Sequence, residues 1–131
     1  MTGSPTVSLY MTRDPITLDP GEDVTRAAST LLRRRISGAP VVDADGALVG
    51  MLTAKDCFRA MLHASYHQER AGPVSAFMTS PVETIPADMG IIEAAELFLA
   101  RPYRRFPVME DGRLAGIITR LDLLAAFRDA W

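Results

Sequence analysis

One cysteine, two histidines and no apolar run of membrane-spanning length are the scarcities that bound this chain. Cys57, being alone, cannot close an internal disulfide, which agrees with a reducing, cytoplasmic setting. Residues 1–9 carry neither the basic n-region nor the apolar h-region of a secretory signal. Charges and prolines interrupt every stretch before the roughly 20 residues that a spanning helix needs, so a soluble protein without a membrane partner is expected. Positive charge is not in excess either. Against 16 acids stand 14 Lys and Arg, a formal net charge of −2, so the field that draws proteins to phosphate backbones is missing and nucleic acid is not an expected partner. Arg33-Arg34-Arg35 is read instead as the end of a helix, where cations oppose the helix dipole.

The same shortage limits chemistry. His63 and His67 lie four apart on a predicted helix near Cys57, but no second ligand cluster accompanies them, and no metal site is expected. No activating motif surrounds any serine or Cys57, so no nucleophile and base emerge and the chain is not expected to be an enzyme.

What is present is a repeat. The chain has 131 residues, 48% hydrophobic and 23% charged, enough for one compact globular module. Met11-Thr12 returns as Met78-Thr79 (78 − 11 = 67), and Thr17-Leu18 returns as Thr84-Ile85 at the same offset. Val24, Ala27, Ala28, Leu31 and Leu32 follow the spacing of an amphipathic helix, and Ile91, Ala94, Ala95, Phe98 and Leu99 rewrite it. Each helix precedes a short strand with Pro-Val, Ala39 to Asp43 and Phe106 to Glu110. An Asp-Gly turn follows, then a second strand ending at Thr53 or Thr119. A final helix is expected over Lys55 to His67 and Leu121 to Ala130, with apolar positions at Phe58, Met61, Leu62, Leu124 and Ala125. The fold class is therefore α+β: a β-α-β-β-α unit written over 7–67 and again over 74–131, joined by 68–73. A lone unit of about 60 residues buries too little surface, so the two should pair with pseudo-twofold symmetry around a cleft.

The motif with chemical content is Gly50-Met51-Leu52-Thr53-Ala54-Lys55-Asp56, repeated as Gly116-Ile117-Ile118-Thr119-Arg120-Leu121-Asp122. A threonine hydroxyl with a carboxylate three residues on, at a helix start, can bind a vicinal diol such as a ribose. The same pattern serves equally as a capping box that only satisfies helix amides.

Met-Thr before a strand, the apolar-Pro-Val strand, the Asp-Gly turn and Gly-x-x-Thr-x-x-Asp occur in order in both copies, and from about Leu9 to Phe127 the chain resembles a tandem CBS-domain pair, or Bateman module. The resemblance implies a sensor that binds an adenosine-type ligand such as AMP, ADP, ATP or S-adenosylmethionine between its halves, commonly as a homodimer. It further implies that Thr119 and Asp122 hold a ribose whose base meets Thr12, Ile16, Thr17, Ile36, Ser37 and Gly38. The mirror pocket would use Thr53 and Asp56 with Thr79, Val82, Tyr103, Arg104 and Arg105. Small residues in the first set leave room for a base, whereas Arg104 and Arg105 suit phosphate oxygens. The competing readings are a structural dimerisation module with degenerate pockets and a small hydrolase or transferase. Trp131 is a candidate dimer contact, and the regulated partner protein is not identifiable from the residues.

Overall fold

The computed structural model describes residues 5–130; Trp131 lies outside them. In chain order the elements are β1 (Thr12–Arg13), α1 (Val24–Arg34), β2 (Gly38–Val42), β3 (Leu48–Thr53), α2 (Ala54–His67), β4 (Ile85–Pro86), α3 (Ile91–Ala100), β5 (Arg105–Glu110), β6 (Arg113–Thr119) and α4 (Arg120–Ala130). Short 3₁₀ turns at Val7–Leu9 and Val74–Ala76 precede the two Met-Thr segments. The α+β class and the repeated element order agree with expectation.

Two compact units emerge, offset from the repeats by one segment. One holds the chain up to Pro15 and from Glu83 onward, the other Ile16–Val82. In the first unit the sheet order is β1-β6-β5-β4, with β1 antiparallel to β6 through Thr12↔Ile117 and Arg13↔Gly116. In the second, β2 and β3 pair antiparallel, while Thr79 bridges Met51 and Leu18 bridges Val41. Each Met-Thr segment thus forms the edge of the sheet built from the other copy's hairpin. Nothing in the repeat pattern distinguishes that pairing from pairing within one copy.

The glycine before each final strand segment explains why the edge can approach. A Cβ on Gly116 would lie 2.6 Å from the Thr12 carbonyl oxygen and 2.8 Å from the Met11 sulfur. On Gly50 it would lie 2.4 Å from the Met78 sulfur. Each methionine therefore covers a bare glycine backbone on the neighbouring strand.

The two cores use equivalent positions. Val24, Leu31, Val41, Leu52 and Val74 are buried in one, and Ile91, Phe98, Val108, Ile118 and Val7 in the other. Full burial of such a side chain is worth about 1.5–3 kcal/mol. Phe98 meets Phe106 edge-on with ring centroids 4.8 Å apart.

Two sequence expectations need correction. Leu32 and Leu99, assigned to the apolar faces of α1 and α3, are 78% and 90% exposed. A residue eight positions on in a 3.6-residue period has rotated about 80° from the first, and the buried stripe is only as wide as Val24, Ala27 and Leu31 or Ile91, Ala94 and Phe98. On α2 the residues turned inward are Cys57 and Ala60, so Phe58, Leu62 and Tyr66 form an exposed stripe; on α4 Leu121 and Leu124 are exposed likewise.

Candidate functional site

Each hairpin ends by feeding a helix, and the junction carries the Thr-x-x-Asp motif. Thr53 has extended backbone at the N-cap of α2, and its hydroxyl oxygen accepts the Asp56 amide at 3.2 Å. In return Asp56 Oδ2 accepts the Thr53 amide at 2.9 Å and the Thr53 hydroxyl at 3.0 Å. A carboxylate in the first turn also meets the positive end of the helix dipole. At α4, Asp122 Oδ2 accepts the Thr119 amide at 2.8 Å, and the Asp122 amide reaches the Thr119 hydroxyl at 3.3 Å. Both motifs are therefore capping boxes, and any ligand role is added to that one.

The two boxes differ in their second oxygen. Asp56 Oδ1 accepts Arg59 Nη1 at 2.9 Å, and the Asp56 side chain is only 3% exposed. Asp122 is half-buried, and among the described residues its Oδ1 has no hydrogen-bond partner. The residue corresponding to Arg59 is Ala125 (59 + 66 = 125). Sequence reasoning did not single out Arg59, although the Arg/Ala difference between the copies was available as a signal.

The remaining predicted residues divide between the units. In the Ile16–Val82 unit, Gly38 lies opposite Thr53 and the Ser37 carbonyl accepts the Ala54 amide at 2.9 Å, so Ser37, Gly38, Thr53 and Asp56 gather at one strand end. Thr79, exposed, exchanges both backbone hydrogen bonds with Met51, two residues before Thr53. Ile16 and Thr17 lead into Leu18, whose amide donates to the Pro40 carbonyl at 2.9 Å; Ile36 and Val82 are half-buried.

In the other unit Arg105 lies opposite Thr119, and exposed Thr12 lies opposite Ile117, two residues before it. Arg120 Nη2 reaches the Tyr103 carbonyl at 3.4 Å, and the Tyr103 ring meets Phe106 edge-on at 5.7 Å. Thr12, Tyr103, Arg105, Thr119 and Asp122 therefore share one sheet end, with exposed Arg104 adjoining. Burial, and next the neighbouring Arg104 charge, push the Arg105 guanidinium below its ordinary pKa. An anionic ligand would relieve that crowding. Ile36, Ser37 and Gly38 belong to the unit that does not contain Thr119 and Asp122, and Tyr103 to Arg105 to the unit that does not contain Thr53 and Asp56.

His63 and His67 stand with ring centroids 4.6 Å apart on α2, and His63 Nε2 is 3.7 Å from Glu69. Cys57 is buried, and burial, then the Asp56 charge, push its thiol pKa up. Among the described residues no three His, Cys, Asp or Glu side chains converge as metal ligands, and no helix is long and apolar enough to cross a membrane.

The CBS domain profile matches residues 7–63 and 74–129. The structure is similar to CBSX2 in complex with AMP, at 28% identity over 98% of both chains with a TM-score of 0.85; CBSX2 is a CBS-pair protein of Arabidopsis thaliana. It is also similar to the CBS domain pair of MJ0100 in complex with 5′-methylthioadenosine and S-adenosyl-L-methionine, at 25% identity, 98% of this chain and 100% of that one, TM-score 0.83. By sequence it matches the uncharacterized protein MJ1225 of Methanocaldococcus jannaschii, 29% identical over 92% of this chain. It also matches an inosine-5′-monophosphate dehydrogenase of Aquifex aeolicus, 32% identical over 85% of this chain. The chain spans 42% of the first of these two relatives and 22% of the second.

Proposed function

The chain belongs to the CBS domain family, with two copies of the domain, and from that premise we propose that it is a regulatory module that binds an adenosine-type nucleotide at a Thr-x-x-Asp end of a sheet. The observation that carries the reading is the half-buried Asp122, whose Oδ2 is fixed by the Thr119 amide while Oδ1 has no hydrogen-bond partner among the described residues. Such a carboxylate can take both hydroxyls of a ribose through charge-assisted bonds. Thr12, Thr119 and the arginines at 104 and 105 are the candidate companions in that unit; Ser37, Gly38, Thr53 and Asp56 are their counterparts in the other. The AMP bound by CBSX2 and the adenosyl compounds bound by MJ0100 support the ligand class.

Arg104 and Arg105 are assigned to phosphate, since a guanidinium fork matches phosphate oxygens and their mutual repulsion falls when an anion is bound. AMP, ADP and ATP should then bind more tightly than adenosine, and more weakly as salt is raised. In the same reading the chain is a cytoplasmic homodimer without catalytic activity of its own. The exposed Phe58, Leu62, Tyr66, Leu121 and Leu124 supply apolar surface for self-association.

The test is calorimetric titration with AMP, ADP, ATP, S-adenosylmethionine and adenosine, repeated on Asp122→Ala. Affinity should fall roughly 10- to 150-fold in the variant, the equivalent of about 1.5–3 kcal/mol for bonds to a charged group. Unchanged affinity in Asp122→Ala would reduce the motif to capping, and equal affinity for adenosine and AMP would remove the phosphate role from the arginines.

A further inference from the structure

The two Thr-x-x-Asp ends are alike in sequence, yet their carboxylates are in different states. In Asp56 both oxygens are engaged: Oδ2 takes two donors from Thr53 and Oδ1 takes the Arg59 guanidinium at 2.9 Å. With the Asp56 side chain 3% exposed, an incoming diol would have to displace a charge-assisted bond at a place from which water is already excluded. Among the described residues no arginine bonds Asp122 Oδ1, and Ala125 stands where Arg59 would be.

We infer that Arg59 is a specificity-determining gate that closes the Thr53–Asp56 end to ribose, so that each chain takes one nucleotide, at Asp122. This rests on the nucleotide reading above. The gate can open because the Arg59 side chain is 61% exposed, so its guanidinium can turn from Asp56 into water with little desolvation. Asp56 would still be held by the Thr53 amide and hydroxyl, oriented as Asp122 is oriented by Thr119. Thus the part of the pair that blocks is also the part that is free to move.

The experiment is calorimetric titration of the full chain with AMP, in the parent, Arg59→Ala and Arg59→Met, the last keeping the aliphatic stem without donors. One AMP per chain is expected for the parent and two for both variants, the new site gaining at least tenfold in affinity. Adding Asp122→Ala should weaken the single site of the parent by the same roughly 10- to 150-fold and, in the Arg59→Ala background, leave the new site at Asp56 at full affinity. Two sites in the parent, or one site in both Arg59 variants, would overturn the gate while leaving nucleotide binding intact. Absence of AMP binding in the parent and in every variant would instead remove the nucleotide reading, and the gate with it.

Discussion

The helix starts of α2 and α4 carry the same four-residue motif and the same reciprocal cap, but one carboxylate is buried against an arginine and the other is half-buried, its second oxygen without a partner among the described residues. A duplicated unit keeps what folding requires, here the cap, and is free to diverge in what the cap's second oxygen does. The start of each hairpin repeats the lesson. Ser37-Gly38 in one copy and Arg104-Arg105 in the other precede the same buried Pro-Val step. The contrast is therefore of charge and access laid over a shared backbone, and paired substitutions at equivalent positions can break or sharpen it.

The largest difference is expected from Gly116→Ala and Gly50→Ala. The added methyl on residue 116 meets a main-chain oxygen of the paired strand at 2.6 Å, which cannot swing aside. On residue 50 the closest atom, at 2.4 Å, is a thioether sulfur, and the Thr79 carbonyl is farther off at 3.1 Å. Overpacking of this kind costs about 1–3 kcal/mol, and Gly116→Ala should fall at the upper end and Gly50→Ala at the lower. Urea unfolding of the two variants checks the order, and equal midpoints would mean that the two edges are equally compliant.

Next come the caps themselves. Asp56→Ala removes three hydrogen bonds from a buried carboxylate and should cost about 1.5–3 kcal/mol of stability. Asp122→Ala removes one backbone partner of a half-buried group and should cost about 1 kcal/mol, as an ordinary cap does. If thermal denaturation puts the two losses in the reverse order, the Arg59 pair contributes nothing to folding.

The ends of α1 and α3 offer a smaller effect with opposite signs. Arg35 closes α1 in the left-handed region at φ 55, which costs a non-glycine residue about 1 kcal/mol, so Arg35→Gly should stabilise by up to that amount. Arg101 closes α3 with φ −122 and pairs with Glu83 at 2.8 Å, so Arg101→Gly should destabilise by about 0.5–1 kcal/mol. Same-signed shifts in midpoint would contradict the geometry.

The smallest effect is one of pH. Asp23 caps α1, and hydrogen bonds from the Thr25 hydroxyl, then the Thr25 amide, hold its carboxyl below the ordinary range. Its equivalent, Gly90, has no side chain to cap α3. A depressed folded-state pKa means the stabilisation is full above the unfolded value near about 3.9 and is lost as pH falls through the folded one. Stability followed from pH 6 to pH 2 should fall more shallowly in Asp23→Asn than in the parent over that window. Parallel curves would show that the cap is not linked to protonation.

Local chemistry is what the sequence determined alone. The repeat, the helix spans, the Asp-Gly turns and both capping boxes follow from spacing and side-chain type, because each depends on contacts within a few residues. The exposure of Leu32 and Leu99 was not legible, since a helical period names a face but not how wide a neighbour will cover it. Neither was the exchange of Met-Thr edges, nor the need for glycine at positions 50 and 116, because both arise where segments far apart in the chain meet. The fate of the two carboxylates was likewise decided by tertiary structure. The residues Asp56, Arg59, Asp122 and Ala125 can be read in order, but only burial determines that an arginine three positions away closes one oxygen to water and leaves its counterpart open.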